Sequence, residues 1–145
     1  MKVTLKQIKG LAFASVGNSG HWVIMDGPKK LGGFSAGTRP MELLLMGIAG
    51  CTGMDVVSIL TKQRVNLTDF SMEVEAKEAE EYPRVFTEIK IHYYLTGLDI
   101  RSKDVERAIA LSRDKYCSAL AMLEKSVAIT HDYRINDPHQ AIDAP

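Results

Sequence analysis

Residues 40–64 have the sequence PMELLLMGIAGCTGMDVVSILTKQR, and this stretch decides the fold. Pro40 occupies a position where a helix can begin without losing a hydrogen bond, and good helix formers follow it to about Lys62. The segment is apolar on nearly every side until Asp55, and a helix that is apolar all round is buried all round. We therefore expect a central helix that runs through the middle of the protein or lies between two copies of it.

Three residues of this segment have low helix propensity: Gly47, Gly50 and Gly53. We interpret them as places where another backbone comes close to the helix.

Alternation of apolar and polar residues on both sides of the helix predicts strands. We expect one α+β domain over residues 1–145, with antiparallel strands in the order βββ-α-ββ-α-β. Gly97 is expected to end the hairpin, and Ser102 or Asp99 to cap the second helix. In chain order the predicted parts are N-terminal strands and a loop (1–39), the central helix (40–64), a β-hairpin (65–98), a second helix region (99–124), a last strand (125–135) and a frayed tail (136–145).

Composition narrows the class of protein. The chain has 145 residues, of which 46% are hydrophobic and 25% charged, as in a soluble domain with a full core. The formal net charge is zero, so the basic excess typical of nucleic-acid binders is absent. The start of the chain lacks a secretory signal, and the most apolar run spans about nine residues, against roughly 20 for a bilayer. We expect a cytoplasmic protein without nucleic-acid or membrane partners.

Common cofactor motifs are missing from the sequence. The glycines at 17 and 20 are not followed by a helix, which excludes a phosphate-binding loop there. Cys51 and Cys117 stand 66 positions apart, and the histidines have no close cysteine or histidine partners. The spacing therefore predicts no metal, flavin or haem site, and leaves open only a metal site assembled across the fold.

The two cysteines are the strongest candidates for chemistry. Cys51 lies in the middle of the central helix, and its flanking glycines leave space around the sulfur. Cys117 follows a helix end, where a thiol can swing. One held and one movable thiol suit peroxide reduction, in which a thiolate attacks the O–O bond and the second thiol condenses with the sulfenic acid. The alternative is that Cys51 is a small core residue.

Four motifs together resemble the OsmC/Ohr family, the osmotically inducible and organic hydroperoxide resistance proteins. They are PMELLL at 40–45, AGC at 49–51, YCS at 116–118 and LEK at 123–125. The resemblance covers nearly the whole chain. It implies an intertwined homodimer in which sheets wrap central helices, with sites at the dimer interface. It also implies a thiol peroxidase for organic hydroperoxides, with Cys51 as the peroxidatic and Cys117 as the resolving cysteine.

The supporting residues depart from this family pattern. Its peroxidases carry an arginine that helps to hold the thiolate and a carboxylate directly after the proline, where this chain has Met41, followed by Glu42. On a straight helix Glu42 is about 13.5 Å along the axis from Cys51, so it can assist only if the helix breaks or across a dimer interface; otherwise it is a first-turn acid that favours the helix dipole. Arg39, twelve residues before Cys51, is the nearest arginine in sequence.

Asp55 lies one turn beyond Cys51 on the same helix face. The favoured interpretation is a helix acid that pairs with a lysine or arginine of another element. Alternatively, an ionised Asp55 raises the pKa of the neighbouring thiol.

Two functions follow from these expectations. The first is thiol-dependent reduction of organic hydroperoxides through a Cys51–Cys117 disulfide, which an external dithiol reduces without a bound cofactor. The alternative is an OsmC-like dimer that binds a small apolar or thiol-reactive ligand and has little peroxidase activity. A weaker possibility is a structural dimer with inert cysteines.

Overall fold

The computed structural model describes residues 1–136, and the chain divides into two compact units, Met1–Leu44 and Leu45–Pro145. The element order agrees with the predicted βββ-α-ββ-α-β order, including a short helical piece after Cys117, and adds a 3₁₀ turn and a π-helical turn. The expectation of a single domain over residues 1–145 stays a prediction. The predicted tail falls on residues 137–145, which lie outside the described residues, except for Asn136, which ends a strand.

The first unit is built on a three-stranded antiparallel sheet. Its strands, in spatial order, are β1 (Val3–Lys9), β2 (Ala12–Gly17) and β3 (Trp22–Met25). Gly10 and Gly20 have positive φ angles in the two connections, a conformation that glycine adopts without strain. A loop with one 3₁₀ turn follows, and Met25 pairs with Thr38 before the helix begins.

Helix α1 (Pro40–Lys62) agrees closely with the predicted bounds and is continuous. Its buried residues in the second unit lie on one face: Ile48, Thr52, Val56, Ile59 and Leu60. The expectation that the helix is buried all round is wrong for the single chain, because Leu44, Met46 and Met54 are exposed. By length and composition α1 is able to cross a membrane, with a mean hydropathy of 1.9, but core helices of soluble proteins meet the same criterion.

The glycines of α1 do not meet another backbone of the described chain. A Cβ added to Gly47 or Gly50 would have no neighbour within 4 Å, and one added to Gly53 would meet side chains of Met72 and Phe70. The expected close backbone approach is therefore absent within residues 1–136. The space over Gly47 and Gly50 is open.

The second unit contains a sheet of β4 (Asn66–Glu78), β5 (Phe86–Leu98) and β6 (Ala128–Asn136). β4 and β5 form the predicted antiparallel hairpin. β6 pairs with β5 in parallel, so the expectation that all strands are antiparallel is wrong. A parallel pair needs a crossover of a dozen or more residues, and the helices between β5 and β6 supply it.

This crossover contains α2 (Ser102–Leu111), a π-helical turn (Ser112–Tyr116) and α3 (Ser118–Leu123). Arg101 is the N-cap residue of α2 without a side-chain cap, so neither Ser102 nor Asp99 caps the helix as predicted. Gly97 lies inside β5 rather than ending it. A Cβ added at this position would lie 2.1 Å from the Asn66 carbonyl oxygen, so only glycine fits there.

Side chains from α1, the second sheet and the crossover share one hydrophobic core. Alternate residues of β5 face it, as the period-2 pattern of the strand predicts. Fully buried members with large side chains are Ile48, Leu60, Ile89, Ile91, Tyr93, Leu95 and Leu120. Cys117 belongs to this core, so the site described below lies at its edge.

Candidate functional site

The structure brings the two predicted cysteines together. The Sγ atoms of Cys51 and Cys117 and a carboxylate oxygen of Asp55 all lie within 4.8 Å of one another. Both cysteines are free thiols. The cluster therefore joins residues that are 66 positions apart in the sequence, and it contains both candidate catalytic residues.

Two elements of the second unit position these side chains. Cys51 and Asp55 are one turn apart on α1, so they lie on the same face of the helix. The π-helical turn ends directly before Cys117, whose backbone is extended where it precedes α3. Thr52, fully buried on α1, places its Oγ1 3.3 Å from the Cys117 Sγ.

Asp55 takes part in a hydrogen bond rather than an ion pair. The buried Ser112 hydroxyl donates to Asp55 Oδ2 at 3.1 Å. None of the ion pairs among residues 1–136 includes Asp55, so the favoured interpretation of a helix acid paired with a cation is wrong. Lys62 and Arg107 do line the same cavity as Asp55, at greater distance.

The two thiols differ in environment. Cys117 is only 2% exposed, whereas Cys51 is half-buried. Burial raises the pKa of the Cys117 thiol, and the neighbouring Cys51 adds to this effect. The Thr52 hydroxyl and the Leu120 backbone amide act in the opposite direction and lower the Cys117 pKa. At neutral pH these effects favour the protonated form of Cys117.

A tyrosine–histidine pair lies behind Cys117. Tyr93 is fully buried on β5, and its hydroxyl lies 3.0 Å from the Nδ1 of His131 on β6. Burial raises the pKa of Tyr93 well above its ordinary value, and the charge of a Cys117 thiolate adds to the rise. Burial also lowers the pKa of His131, whose buried Nε2 has no hydrogen-bond partner among residues 1–136.

Two cavities adjoin the cluster on either side of Tyr116. One, of about 290 Å³, is lined by Asp55 together with Lys62 and Arg107. The other, of about 360 Å³, is lined by Cys117 and by charged residues of the π-helical turn. Small molecules and ions therefore have space beside Asp55 and beside Cys117.

The two supporting residues predicted from the family pattern have local roles in the first unit. The Arg39 guanidinium donates to the backbone carbonyl of Asp26 at 2.7 Å and to the Ser35 hydroxyl at 3.1 Å. The Glu42 carboxylate accepts a hydrogen bond from the Arg39 backbone N–H at 2.8 Å. This contact is half of a capping box, so Glu42 stabilises the start of α1. Because α1 is unbroken, Glu42 can assist a thiol only across a dimer interface, and the roles of Glu42 and Arg39 beside Cys51 stay predictions.

Asp26 is a residue that the sequence does not single out. Its buried carboxylate accepts backbone hydrogen bonds from Gly27 at 2.7 Å, Phe34 at 2.8 Å and Ala36 at 3.0 Å. These bonds hold the loop after β3, and they hold the pKa of Asp26 below its ordinary value. An acid at a strand end before a glycine-rich loop is a weak signal of such an anchor.

Thr52 and Ser112 were likewise missed. Both are fully buried hydroxyl residues that contact cluster members. Thr52 follows Cys51 directly, but Ser112 resembles any small residue on a helical stripe.

The sequence of this chain is similar to those of known proteins. The OsmC-like protein family model matches residues 32–132. Protein YhfA of Escherichia coli K12 is 42% identical over 135 residues, which cover 93% of this chain and 98% of YhfA.

Solved structures show the same fold. A hypothetical protein from Aquifex aeolicus VF5 is 33% identical, with a TM-score of 0.78 over 93% of this chain and 96% of its own. The organic hydroperoxide resistance protein OhrB of Bacillus subtilis shares the fold at 18% identity, with a TM-score of 0.62 over 92% of this chain and 96% of OhrB. With a family model that matches most of its length and relatives well above 30% identity, the chain is a member of the OsmC-like family.

Proposed function

We propose that the protein is a cysteine-based peroxidase that reduces organic hydroperoxides to alcohols and water. The observation that carries this proposal is the pair of free thiols within 4.8 Å, one half-exposed and one buried. The family membership and the fold shared with OhrB, an organic hydroperoxide resistance protein, support the same chemistry.

The different exposure of the thiols supports an order for the two steps. Cys51 is the more exposed of the two thiols, so we assign to its thiolate the attack on the O–O bond of ROOH. The sulfur becomes a sulfenic acid, and the alkoxide takes up a proton and leaves as ROH. Cys117, whose raised pKa keeps it protonated at rest, attacks the sulfenic sulfur and gives up its proton to the departing hydroxyl. This step forms the Cys51–Cys117 disulfide and releases water.

Asp55 is placed to carry the protons of this cycle. Its carboxylate lies within 4.8 Å of both sulfurs and is oriented by Ser112. It accepts the proton of the attacking thiol and returns a proton to the leaving alkoxide. In this role Asp55 replaces the carboxylate that the family pattern places directly after the proline.

An external dithiol completes the cycle. The two thiols supply the two electrons that reduce one hydroperoxide when they form the disulfide. The protein must therefore be reduced again after every turnover. A dithiol reductant attacks the disulfide by thiol exchange, restores both thiols and leaves as its own disulfide.

We assign the working form as a cytoplasmic homodimer. Apolar side chains on β1 and α1 are exposed in the single chain: Val3, Leu5, Ile8, Leu44, Met46 and Met54. A second copy would cover them and the open space over Gly47 and Gly50. Free thiols persist in a reducing compartment, which favours the cytoplasm. Light scattering tests the dimer: Met54→Glu places a charge where the side chain is 72% exposed and should yield monomers, whereas Met122→Glu on α3 should not.

A pair of cysteine variants tests the peroxidase. Wild-type protein, incubated with cumene hydroperoxide, should lose two free thiols and recover them with a dithiol. Cys51→Ser should consume no peroxide above the uncatalysed rate. Cys117→Ser should react once and retain a sulfenic acid that dimedone labels. Peroxide consumption by Cys51→Ser at the wild-type rate would refute the proposal.

The second candidate is an OsmC-like dimer that binds a small apolar or thiol-reactive ligand with little turnover. The raised pKa of Cys117 and a site carboxylate without an ion-paired cation favour it. A Cys51 pKa near the unperturbed value of about 8.5, together with slow peroxide reaction, would favour this candidate over the peroxidase.

A further inference from the structure

We propose that Cys51, Asp55 and Cys117 of the reduced protein bind one thiophilic divalent cation of the Zn²⁺ type. This site goes beyond the peroxidase and does not depend on it. It is a metal site assembled from residues that are distant in sequence, which the cysteine spacing alone does not reveal.

The donor set suits this cation class. Two thiolate sulfurs select thiophilic ions such as Zn²⁺ over Mg²⁺ or Ca²⁺, and a carboxylate oxygen is an accepted third zinc ligand. Three protein ligands leave the fourth tetrahedral position to water or another small ligand. The site has the composition of an open zinc centre rather than a closed structural one.

The distances are close to those of a formed site. Ligand atoms at tetrahedral positions, about 2.0 to 2.3 Å from zinc, stand roughly 3.5 to 3.8 Å apart. The three donors already lie within 4.8 Å of one another. Closing around an ion therefore requires shifts of about 1 Å or less, which rotation of the half-buried Cys51 and Asp55 side chains can supply.

Neighbouring hydroxyl groups contact two of the three ligands and orient them. The Ser112 hydroxyl donates to Asp55 Oδ2 at 3.1 Å and leaves the other carboxylate oxygen free for the ion. The Thr52 hydroxyl lies 3.3 Å from the Cys117 sulfur and stabilises its thiolate. Such outer contacts orient ligands and contribute about 10- to 100-fold to metal affinity.

The cavities beside the cluster and the charged residues that line them also suit a divalent cation. Asp55 lines the cavity of about 290 Å³ and Cys117 lines the cavity of about 360 Å³, so two of the three ligands border space that an ion can enter. Three ionised ligands around a divalent ion leave one net negative charge. Lys62 and Arg107 line the same cavity as Asp55 and offset that charge.

Binding and disulfide formation exclude each other. When the ion binds, both thiols lose their protons to solvent and their sulfurs donate to the metal. A disulfide between the same sulfurs removes both thiolate ligands. Metal loading therefore protects the thiols from hydroperoxide, and oxidation releases the ion.

The test uses the full chain, reduced and stripped of metal, titrated with Zn²⁺ by calorimetry and with Co²⁺ by absorption. We expect one ion per chain and the charge-transfer absorption of thiolate-bound, tetrahedral Co²⁺. The oxidised wild type and Cys117→Ser should lose that absorption. Asp55→Asn should bind at least tenfold more weakly, and Ser112→Ala about tenfold more weakly.

Asp114→Asn is the matched control, because Asp114 pairs with Arg113 on the surface beside the same turn. It should bind Zn²⁺ like the wild type. Circular dichroism verifies the fold of each variant, and the oxidised wild type tests the thiols without any substitution. Substoichiometric Zn²⁺, Co²⁺ spectra without thiolate absorption, or wild-type affinity in Asp55→Asn would overturn the site.

The peroxidase assay with a metal chelator separates the two proposals. Peroxide turnover without metal binding overturns only the metal site. One bound ion without peroxide turnover overturns only the peroxidase.

Discussion

Thr52→Val should raise the pKa of Cys117 by about one unit. Thr52 is fully buried and places its hydroxyl 3.3 Å from the Cys117 sulfur, where it favours the thiolate. Valine keeps the branched shape and removes the hydroxyl. A hydrogen bond to a charged group contributes about 1.5 kcal/mol at the lower end of its range, and one pKa unit corresponds to about 1.4 kcal/mol.

This shift has opposite effects on reactivity at low and high pH. Well below the pKa, the thiolate fraction falls about tenfold, but each thiolate becomes about threefold more nucleophilic. The net rate of attack by Cys117 therefore falls about threefold. Well above the pKa, where both proteins are fully ionised, the variant should react about threefold faster, so the two pH–rate profiles should cross.

The assay compares Cys51→Ser with the double variant Cys51→Ser/Thr52→Val, so that Cys117 is the only thiol. Thiolate ultraviolet absorbance gives the pKa, and reaction with a small disulfide gives the rates. Thr61→Val in the same background is the matched control, because Thr61 donates to the Val57 carbonyl on the exposed face of α1. An unchanged or lower Cys117 pKa, or profiles that do not cross, would refute the reasoning.

Three further predictions concern stability in the second unit, measured by urea unfolding. Gly97→Ala should cost about 1–3 kcal/mol, because the new Cβ would meet the Asn66 carbonyl oxygen; an unchanged midpoint would contradict this. Leu95→Ala should cost about 2–5 kcal/mol, since Leu95 is fully buried, and a loss below about 1 kcal/mol would count against the described core. Burial lowers the pKa of His131, so its folded state binds fewer protons; stability should be complete above pH 6.5 and fall as the pH decreases below it. His131→Gln should remove that part of the pH dependence, and an identical slope in both proteins would contradict the assignment.

Local patterns predict most of the fold because they determine its elements. Proline at the first helical position and the long apolar run place α1 to within two residues of its observed end. Alternation along β5 predicts which residues face the core. These features depend on neighbours in sequence, so periodicity is sufficient to find them.

Such local patterns do not show which distant segments pair with each other or in which direction. Strand β6 alternates in the same way whether it pairs parallel or antiparallel, so its direction was predicted wrongly. A glycine after an alternating segment is typical of a strand end, which is why Gly97 is expected to end β5. Its close contact with the Asn66 carbonyl involves a distant segment, and the local pattern does not show it.

The same difference between local and distant contacts applies to the candidate site. Cys51 and Asp55 are predictable as neighbours, because four residues make one helical turn. Their approach to Cys117 depends on the crossover, and the family resemblance rather than the spacing pointed to it. Ser112 gave no signal, since a buried hydroxyl and a small core residue have the same sequence pattern.

The distance in sequence between the two clustered cysteines also sets a delay during synthesis. Cys51 leaves the ribosome 66 residues before Cys117, which amounts to about 3–13 s at 5–20 residues per second. Throughout that interval the nascent chain carries the Cys51 thiol, with neither Cys117 nor the Thr52–Cys117 contact in place. During those seconds Cys51 meets oxidants alone, so the pair of free thiols is complete only if Cys51 stays reduced until Cys117 emerges.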